Sequence, residues 1–146
     1  TVMLMDIEGN VFEREKPELQ FDYRWTNITA KFILAARMKL SAGEPEQILR
    51  QIKEIWIYKK NTQPLNTKNA GCVFKNPRGL SAGALIDRAG LKGMQIGGAQ
   101  IGEKHANFIA AKAGCKSADI LKLINATRQA VKEQFDVELE LELEIW

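Results

Sequence analysis

The sequence predicts an α+β fold in which a mixed or antiparallel sheet carries helices packed on one side. Two short strand-like segments, residues 2–7 and 11–13, flank the turn Glu-Gly-Asn near the start. Residues 137–146 alternate apolar and acidic side chains, the pattern of a strand with one buried face. Helical and strand-like segments follow one another irregularly between these ends, which favours α+β over a doubly wound sheet. A length of 146 residues suits one compact domain.

The first half of the chain contains a loop, a strand and a helix. Residues 16–27, which include Pro17, are predicted to form a loop or a short helical turn. Residues 32–40 are apolar enough for a buried strand. Residues 44–60 are predicted to form an amphipathic helix, because apolar residues recur there at helical spacing: Ile48, Ile52, Ile55 and Trp56.

The second half begins with a long loop, residues 61–79, and such loops inside compact domains are usually functional or disordered. Ser81 is predicted to cap a short helix that ends at Gly90. The glycine-rich residues 91–102 and the apolar residues after His105 each suggest a short strand. A long helix is predicted from residue 118 to about residue 134, capped by Ser117.

Composition excludes several classes of protein. The net charge of +3 comes from scattered basic residues rather than a patch, so we expect no nucleic-acid partner. No apolar run approaches the roughly 18 residues of a membrane helix, and Asp6 and Glu8 interrupt the first apolar patch, so we expect neither a membrane span nor a secretory leader. Cys72 and Cys115 are interpreted as free thiols, which predicts a cytoplasmic protein.

Side chains that could carry chemistry are few. Cys72, His105 and Cys115 lack the spacing of zinc ligands, so no metal site is predicted. The glycines of residues 97–102 match neither a phosphate-binding loop nor a dinucleotide fingerprint. Cys72 and His105 could form a nucleophile and its base, although cysteine is more often simply buried.

Two further features leave alternatives open. Arg24, between Tyr23 and Trp25, could present its guanidinium to a carboxylate or phosphate, or could merely cover aromatic edges. The final strand has four glutamates on one face, which could be solvated or could turn one carboxylate into a cleft. The spacing alone does not choose among Glu138, Glu140, Glu142 and Glu144.

Several separated motifs resemble the UDP-N-acetylenolpyruvoylglucosamine reductase family, flavoenzymes also called UDP-N-acetylmuramate dehydrogenases. The resemblance is carried by AGCVFKNP at 70–77, SAGALIDRAGLKGMQIGGAQIGEKHANFI at 81–109 and FDVELELELEIW at 135–146, supported by FDYRWTN at 21–27 and QPL at 63–65. It covers the C-terminal part of the family, without the N-terminal domain that holds most of the FAD. It implies that residues 1–27 end the flavin-binding lobe and residues 28–146 form the substrate-binding domain.

The family implies reduction of UDP-N-acetylglucosamine enolpyruvate to UDP-N-acetylmuramate for peptidoglycan synthesis, with NADPH reducing FAD. By this resemblance the catalytic residues are Arg24, which would hold the substrate carboxylate, Cys72, the proton donor, and Glu142 of the final strand. The implied substrate-binding residues are Asn76, His105 and, beside them, Lys75. The implied partner is the N-terminal FAD-binding domain. The alternative is a non-catalytic module that binds a UDP-sugar or a protein partner.

Three residues depart from the family pattern. Cys72 stands where serine is usual, and a free cysteine thiol, with a pKa of about 8.5, remains mostly protonated at neutral pH and is a stronger acid than a hydroxyl. Trp25 stands where a small acidic or amide residue is common, so we expect a reshaped pocket beside Arg24. Asp136 replaces a usual glycine, and aspartate tolerates the same backbone conformation.

Overall fold

The computed structural model describes residues 1–145, and the chain divides into two compact units, Thr1–Gln47 and Ile48–Trp146. The elements are helices and several short antiparallel strands, so the α+β prediction is confirmed. The boundary between compact units lies after Gln47. The boundary between a flavin-binding lobe and a substrate-binding domain after residue 27 is a functional division, and it stays a prediction.

The first unit is built on a three-stranded antiparallel sheet. Strand β1 (Val2–Met5) pairs with β2 (Val11–Arg14) on one side, as predicted. The turn between them is held by Asp6, whose Oδ1 accepts hydrogen bonds from the backbone N–H groups of Glu8 and Asn10 at 3.0 and 2.9 Å. The Asn10 side chain also donates from Nδ2 to Asp6 Oδ2 at 2.9 Å, and this hydrogen bond is the largest cause of the lowered pKa of Asp6, followed by the one from the Asn10 backbone N–H.

The predicted buried strand is the third strand of this sheet, β5 (Phe32–Ala36), which pairs with the other edge of β1. All of its residues are exposed, so the prediction of burial is wrong. Among the residues that the structure describes, Leu4 is the one fully buried apolar side chain of the first unit. The apolar run predicted a strand correctly, but nothing in the described part of the chain buries the side chains of β5.

Residues 16–27 contain more regular structure than predicted. A single 3₁₀ turn, Lys16–Glu18, precedes a small hairpin of β3 (Phe21–Asp22) and β4 (Trp25–Thr26). The hairpin pairs Phe21 with Thr26 and Asp22 with Trp25, so its turn consists of the two residues between Asp22 and Trp25.

Helix α1 (Pro45–Thr62) lies close to the predicted bounds. Glu46 is in its first turn, and Lys59 and Lys60 are in its last, so the charges suit the helix dipole. None of the helix's side chains is buried, so the sequence periodicity located the helix but not a packed face.

The second unit contains the main hydrophobic core. A short antiparallel sheet, in the order β6 (Gln95–Ile96), β7 (Ala99–Ile101) and β8 (Ile109–Ala111), packs against helices α2 (Ala82–Arg88) and α3 (Ser117–Phe135). The core comprises Val73, Phe74, Ala82, Leu85, Ile86, Ala99, Ile101, Ala106, Ile109, Leu123, Ile124, Val131 and Leu139. No helix among residues 1–145 combines the length and apolar content needed to cross a membrane.

The sequence predicted the cap of α2 correctly, but Ser117, predicted to cap the long helix, lies inside that helix. Ser81 caps α2, because its hydroxyl accepts a hydrogen bond from the Ala84 N–H at 3.3 Å. Helix α3 begins one residue earlier than predicted, with Lys116 as its N-cap, and Asp119 accepts a hydrogen bond from the Lys116 N–H at 3.2 Å. Asp136 ends α3 in the left-handed conformation with φ of 54°, as expected for an aspartate in place of glycine.

The tail after α3 is not the regular strand that its alternation predicted. Over the described residues it pairs through one isolated bridge, between Phe74 and Leu141. The alternation still describes burial over part of the tail, since Leu139 is 1% exposed whereas Glu138 and Glu140 are exposed. The apolar side chains of the tail, rather than a strand ladder, anchor it to the second unit.

We therefore expect Leu139→Ala to lower the free energy of unfolding by about 2–5 kcal/mol, because a fully buried leucine is lost from the core. Glu138→Ala, one position away and exposed, is the control and should change stability by less than about 0.5 kcal/mol. Urea unfolding followed by far-ultraviolet circular dichroism measures both values. Equal effects of the two substitutions would show that the tail is not anchored through Leu139.

Candidate active site

The segment Cys72–Lys75 lies between two other stretches of the second unit. On one edge, Cys72 forms an isolated antiparallel β-bridge with Phe108, and the Val73 N–H donates to the Asn107 carbonyl at 2.8 Å. On the other edge, the Lys75 N–H donates to the Glu140 carbonyl at 2.8 Å, and the Glu142 N–H donates to the Val73 carbonyl at 2.9 Å. The segment thus brings the tail and the residues before β8 together around Cys72.

Gly71 directs the chain into this segment. Its φ is +85°, a conformation that glycine adopts readily and most other residues do not. Within the described chain, a Cβ placed on Gly71 would meet nothing within 4 Å, so the position is not crowded. The glycine is needed for its backbone conformation, which the Asn69 side chain supports by accepting a hydrogen bond from the Gly71 N–H at 3.0 Å.

Cys72 is half-buried, and neither it nor Cys115 is in a disulfide bond. The two following residues, Val73 and Phe74, are each 2% exposed and anchor the segment in the core. The backbone of Cys72 is therefore held by its buried neighbours, while its own side chain stays partly accessible.

Glu142 differs from the other glutamates of the tail. Glu138, Glu140 and Glu144 are exposed, whereas Glu142 is half-buried and its Oε2 is inaccessible to solvent. Its backbone N–H is bonded to the carbonyl of Val73, the residue after Cys72. Burial therefore distinguishes the same glutamate that the family resemblance implies.

Lys75 and Asn76 continue the segment towards α2. The Lys75 ammonium lies 3.5 Å from a carboxylate oxygen of the exposed Glu140, a surface ion pair that constrains the lysine only weakly. Asn76 is exposed, and its Oδ1 accepts a hydrogen bond from the Ala82 N–H at 3.0 Å at the start of α2. One end of the Asn76 carboxamide therefore fixes the path of the chain from the segment into α2.

His105 lies in the loop between β7 and β8, and its ring contacts Phe108 edge-on with centroids 4.8 Å apart. Its Nδ1 accepts a hydrogen bond from the Asn107 N–H at 3.2 Å, which favours the neutral ring. Burial, together with the nearby charge of Lys92, lowers the pKa of His105. His105 also lines an open cavity of about 360 Å³ with polar neighbours that include Ser81, Lys92 and Lys104.

Arg24 belongs to the first unit, where it follows Tyr23 in the two-residue turn between β3 and β4. Its φ is 56°, which is uncommon for a residue with a side chain, and backbone strain of this kind clusters at functional sites. The guanidinium carbon lies 5.6 Å from the centre of the Tyr23 ring, a cation–π contact. Arg24 thus stacks on Tyr23, one of its two aromatic neighbours in the sequence.

Sequence reasoning missed Asn107. Its side chain is 3% exposed and bonds the backbone of Phe74 at both its N–H and its carbonyl. The signal in the sequence was an asparagine between apolar residues just before a predicted strand, which suggests a buried polar contact. The sequence did not indicate which residue the asparagine would contact. Within residues 1–145, no three histidine, cysteine or acidic side chains are grouped so that they could hold a metal ion.

This chain is similar to known proteins of one family. Residues 63–146 match the family described as UDP-N-acetylenolpyruvoylglucosamine reductase, C-terminal domain. The UDP-N-acetylenolpyruvoylglucosamine reductase of Moorella thermoacetica is 38% identical over 146 residues, covering 99% of this chain and 48% of that protein. A Bacillus cereus protein, UDP-N-acetylenolpyruvoylglucosamine reductase 1, is 42% identical over 131 residues, covering 88% of this chain and 44% of that protein.

The chain is also similar to a solved structure from this family. The crystal structure of the UDP-N-acetylenolpyruvylglucosamine reductase of Thermus caldophilus matches with a TM-score of 0.84 and 37% sequence identity, over 99% of this chain and 52% of that one. The chain therefore spans about half the length of the relatives that it matches.

The lowered pKa of His105 predicts a pH dependence of stability. Because the folded protein binds the proton less tightly than the unfolded chain, this contribution is complete above a pH of about 6.5 and is lost as the pH falls through the folded pKa. His105 is the only histidine in the sequence. Between pH values of about 7.5 and about 5, we expect the melting temperature of His105→Gln to fall less than that of the unaltered chain.

Scanning calorimetry at several pH values measures this difference. Lys92→Met is the control: it removes the weaker cause of the shift and should leave most of the pH dependence, because burial is the main cause. Identical pH profiles for His105→Gln and the unaltered protein would contradict the assignment.

Proposed function

The chain belongs to the UDP-N-acetylenolpyruvoylglucosamine reductase family, and on that premise we propose that it is the substrate-binding half of a flavoenzyme. The proposed reaction reduces the enolpyruvyl ether of UDP-N-acetylglucosamine to the lactyl ether of UDP-N-acetylmuramate, in cytoplasmic peptidoglycan synthesis. The observation that carries the proposal is the pairing of the Cys72 segment with the tail, in which the Glu142 N–H donates to the Val73 carbonyl at 2.9 Å.

Each proposed catalytic residue has a role set by the charge that the reaction develops. Bound FAD, once reduced by NADPH, would supply a hydride for the substrate double bond. Cys72 then gives its Sγ proton to the neighbouring carbon, and Arg24 stabilises the negative charge that collects on the substrate carboxylate. Glu142, with one shielded carboxylate oxygen beside the Cys72 segment, is proposed to act as an acid or to stabilise charge during this step.

Three further residues are proposed to bind the substrate. Lys75 and Asn76 follow Cys72 closely in the chain, and both are at least partly exposed. Lys75 is proposed to contact the diphosphate. His105 is proposed to meet a neutral polar part of the substrate, because its ring favours the uncharged form.

The first unit is proposed to hold part of the flavin site. Within residues 1–145, the buried Thr26 Oγ1 has no hydrogen-bond partner, and Thr26 lies two residues after Arg24. A buried hydroxyl without a partner is costly, so a group from outside this chain that bonds it would stabilise the unit. FAD, or the domain that holds it, is such a group by our proposal, and Arg24 and Thr26 would contact it or the bound substrate.

The partner of the first unit is proposed to be an N-terminal FAD-binding domain. Large apolar and aromatic side chains of this unit are more than half exposed at Ile7, Val11, Phe21, Tyr23, Trp25, Ile33, Met38 and Leu40. The known relatives are about twice as long as this chain, so they contain a segment large enough to cover such a surface. A unit with this many exposed large apolar side chains is a reasonable candidate for covering by a partner, and we propose that the N-terminal domain is that partner.

We expect the chain to bind UDP-N-acetylglucosamine enolpyruvate, and Asn76→Asp to weaken that binding at least about tenfold, because the amide donor is lost and a negative charge is placed next to Lys75, the residue proposed to contact the diphosphate. Asn76→Asp is preferable to alanine because it keeps the acceptor for the Ala82 N–H. Isothermal titration calorimetry measures the affinity, and circular dichroism checks that the variant keeps its fold. Arg78→Gln, two residues away and exposed, is the control and should bind normally.

Unchanged affinity in Asn76→Asp would remove Asn76 from the proposed site. Binding of UDP alone with the same affinity as the full substrate would favour a non-catalytic UDP-sugar module over a reductase.

Activity tests the role of Cys72. We would fuse the N-terminal half of the Moorella thermoacetica reductase ahead of Thr1 and follow NADPH oxidation that depends on the substrate. Cys72→Ala should lower kcat by about 10²–10⁴-fold, because the proton donor is lost. Cys72→Ser should retain most of the activity, since serine is the usual residue of the family.

Cys115→Ala is the matched control, because it removes the other thiol outside the proposed site and should leave kcat unchanged. Full activity in Cys72→Ala would overturn the proposed proton donor. A fusion that binds FAD and substrate but oxidises no NADPH would overturn the proposed reductase function.

A further inference from the structure

We propose that Asn107 is a positioning residue that fixes the reactive segment around Cys72. This inference goes beyond the proposed reaction by assigning a role to a residue outside the set proposed to touch the substrate. It rests on the proposed function only in treating Cys72 as the reactive group, and the contacts that support it lie within the second unit.

The Asn107 carboxamide satisfies both backbone groups of Phe74. The Phe74 N–H donates to Asn107 Oδ1 at 2.9 Å, and Asn107 Nδ2 donates to the Phe74 carbonyl at 2.8 Å. Both bonds are buried, since Phe74 is 2% exposed and Asn107 is 3% exposed. A side chain therefore provides the donor and acceptor that a neighbouring strand would provide in a regular sheet.

The backbone of Asn107 adds two more links. Its carbonyl accepts a hydrogen bond from the Val73 N–H at 2.8 Å, and its N–H donates to His105 Nδ1 at 3.2 Å. One residue thus holds the segment that follows Cys72 and also orients the His105 ring. Cys72 and His105 are two of the proposed site residues, so loss of the Asn107 contacts would release both sides of the site together.

Burial makes the carboxamide bonds selective for one conformation. If the carboxamide is removed, the Phe74 N–H and carbonyl lose their partner in a water-poor environment, which is costly for each group. Local opening that exposes Phe74 to water then becomes easier, while the core beneath α3 keeps its own contacts. The distinguishing consequence is local opening around Cys72 that exceeds the change in global stability.

The first test is Asn107→Leu, which is similar in volume but cannot form the two hydrogen bonds. We expect the protection of the Phe74 amide against hydrogen exchange, measured by NMR, to fall at least about tenfold more than that of Leu123 and Val131 in α3. The control is Thr127→Val, which removes a buried hydroxyl bonded to the Leu123 carbonyl within α3 and should not act selectively on Phe74. An equal loss of protection at all these amides would overturn the proposal.

The second test uses the chain's two thiols. Dithiodipyridine reacts with Cys72 and Cys115 in the same molecule, so Cys115 serves as an internal reference for reactivity. In Asn107→Leu the ratio of the Cys72 rate to the Cys115 rate should change at least about threefold, because the segment that directs the Cys72 thiol is released. An unchanged ratio would overturn the positioning role.

The variant Asn107→Asp keeps the test decisive if the leucine variant does not fold. A neutral carboxylic acid can accept from the Phe74 N–H and donate to its carbonyl, whereas the ionised form can only accept. The rate ratio should therefore return towards that of the unaltered chain as the pH falls and the introduced carboxylate is protonated. Carrying His105→Gln in both proteins removes the titration of His105 from the comparison.

Absence of this pH-dependent recovery would contradict the two-bond role of the carboxamide. None of these measurements requires substrate or flavin. If the Asn107 variants behave as expected but the chain does not bind substrate, Asn107 remains a positioning residue and the proposed function is rejected. If the chain binds substrate but the Asn107 variants behave like the unaltered chain, the proposed function remains and the role of Asn107 is rejected.

Discussion

The second unit depends on how the segment Cys72–Lys75 is bonded along both edges. Residues 107 and 108 supply one edge, and residues 140–142 supply the other. A segment this short cannot form a long ladder with either neighbour, so each backbone group that is satisfied counts heavily. The Asn107 carboxamide completes the set at Phe74, where it bonds both the N–H and the carbonyl.

The glutamates of the alternating tail differ in burial, and Glu142 is the one that is half-buried with a shielded carboxylate oxygen. Pairing with Val73 brings the backbone of Glu142 against the segment Cys72–Lys75. Nearer the end of α3, the exposed Glu138 instead forms an ion pair with Lys132, which also pairs with Asp136. Residues with the same chemistry thus occupy different environments along the tail.

The sequence predicts those parts of the fold that local chemistry determines. Ser81 and Asp136 mark helix ends because a hydroxyl cap and a left-handed residue have local causes. Burial of residues 32–40 was predicted wrongly, since an apolar run shows that a surface avoids water but not which chain covers it. The prediction of a regular final strand was also wrong. A strand needs a partner of matching length, and the segment around Phe74 provides a single β-bridge to Leu141.

The candidate site was predictable only to the extent that its chemistry is visible in residue types. A thiol, an arginine and a run of carboxylates were evident, but the choice of Glu142 needed the family resemblance, and its distinct burial is visible only in the structure. Asn107 was not predictable, because its role depends on a contact with Phe74 across 33 residues. A hydrogen bond that is non-local in sequence leaves no periodic signal.

Arg24 lies in a part of the first unit that has little regular structure to support its backbone conformation. Its left-handed backbone places a charged side chain in a two-residue turn, and such strain persists only where surrounding structure maintains it. The β3–β4 hairpin has two residues in each strand, so the ladder itself is a small part of that support. By our proposal the flavin-binding domain covers the first unit and adds the rest of that support.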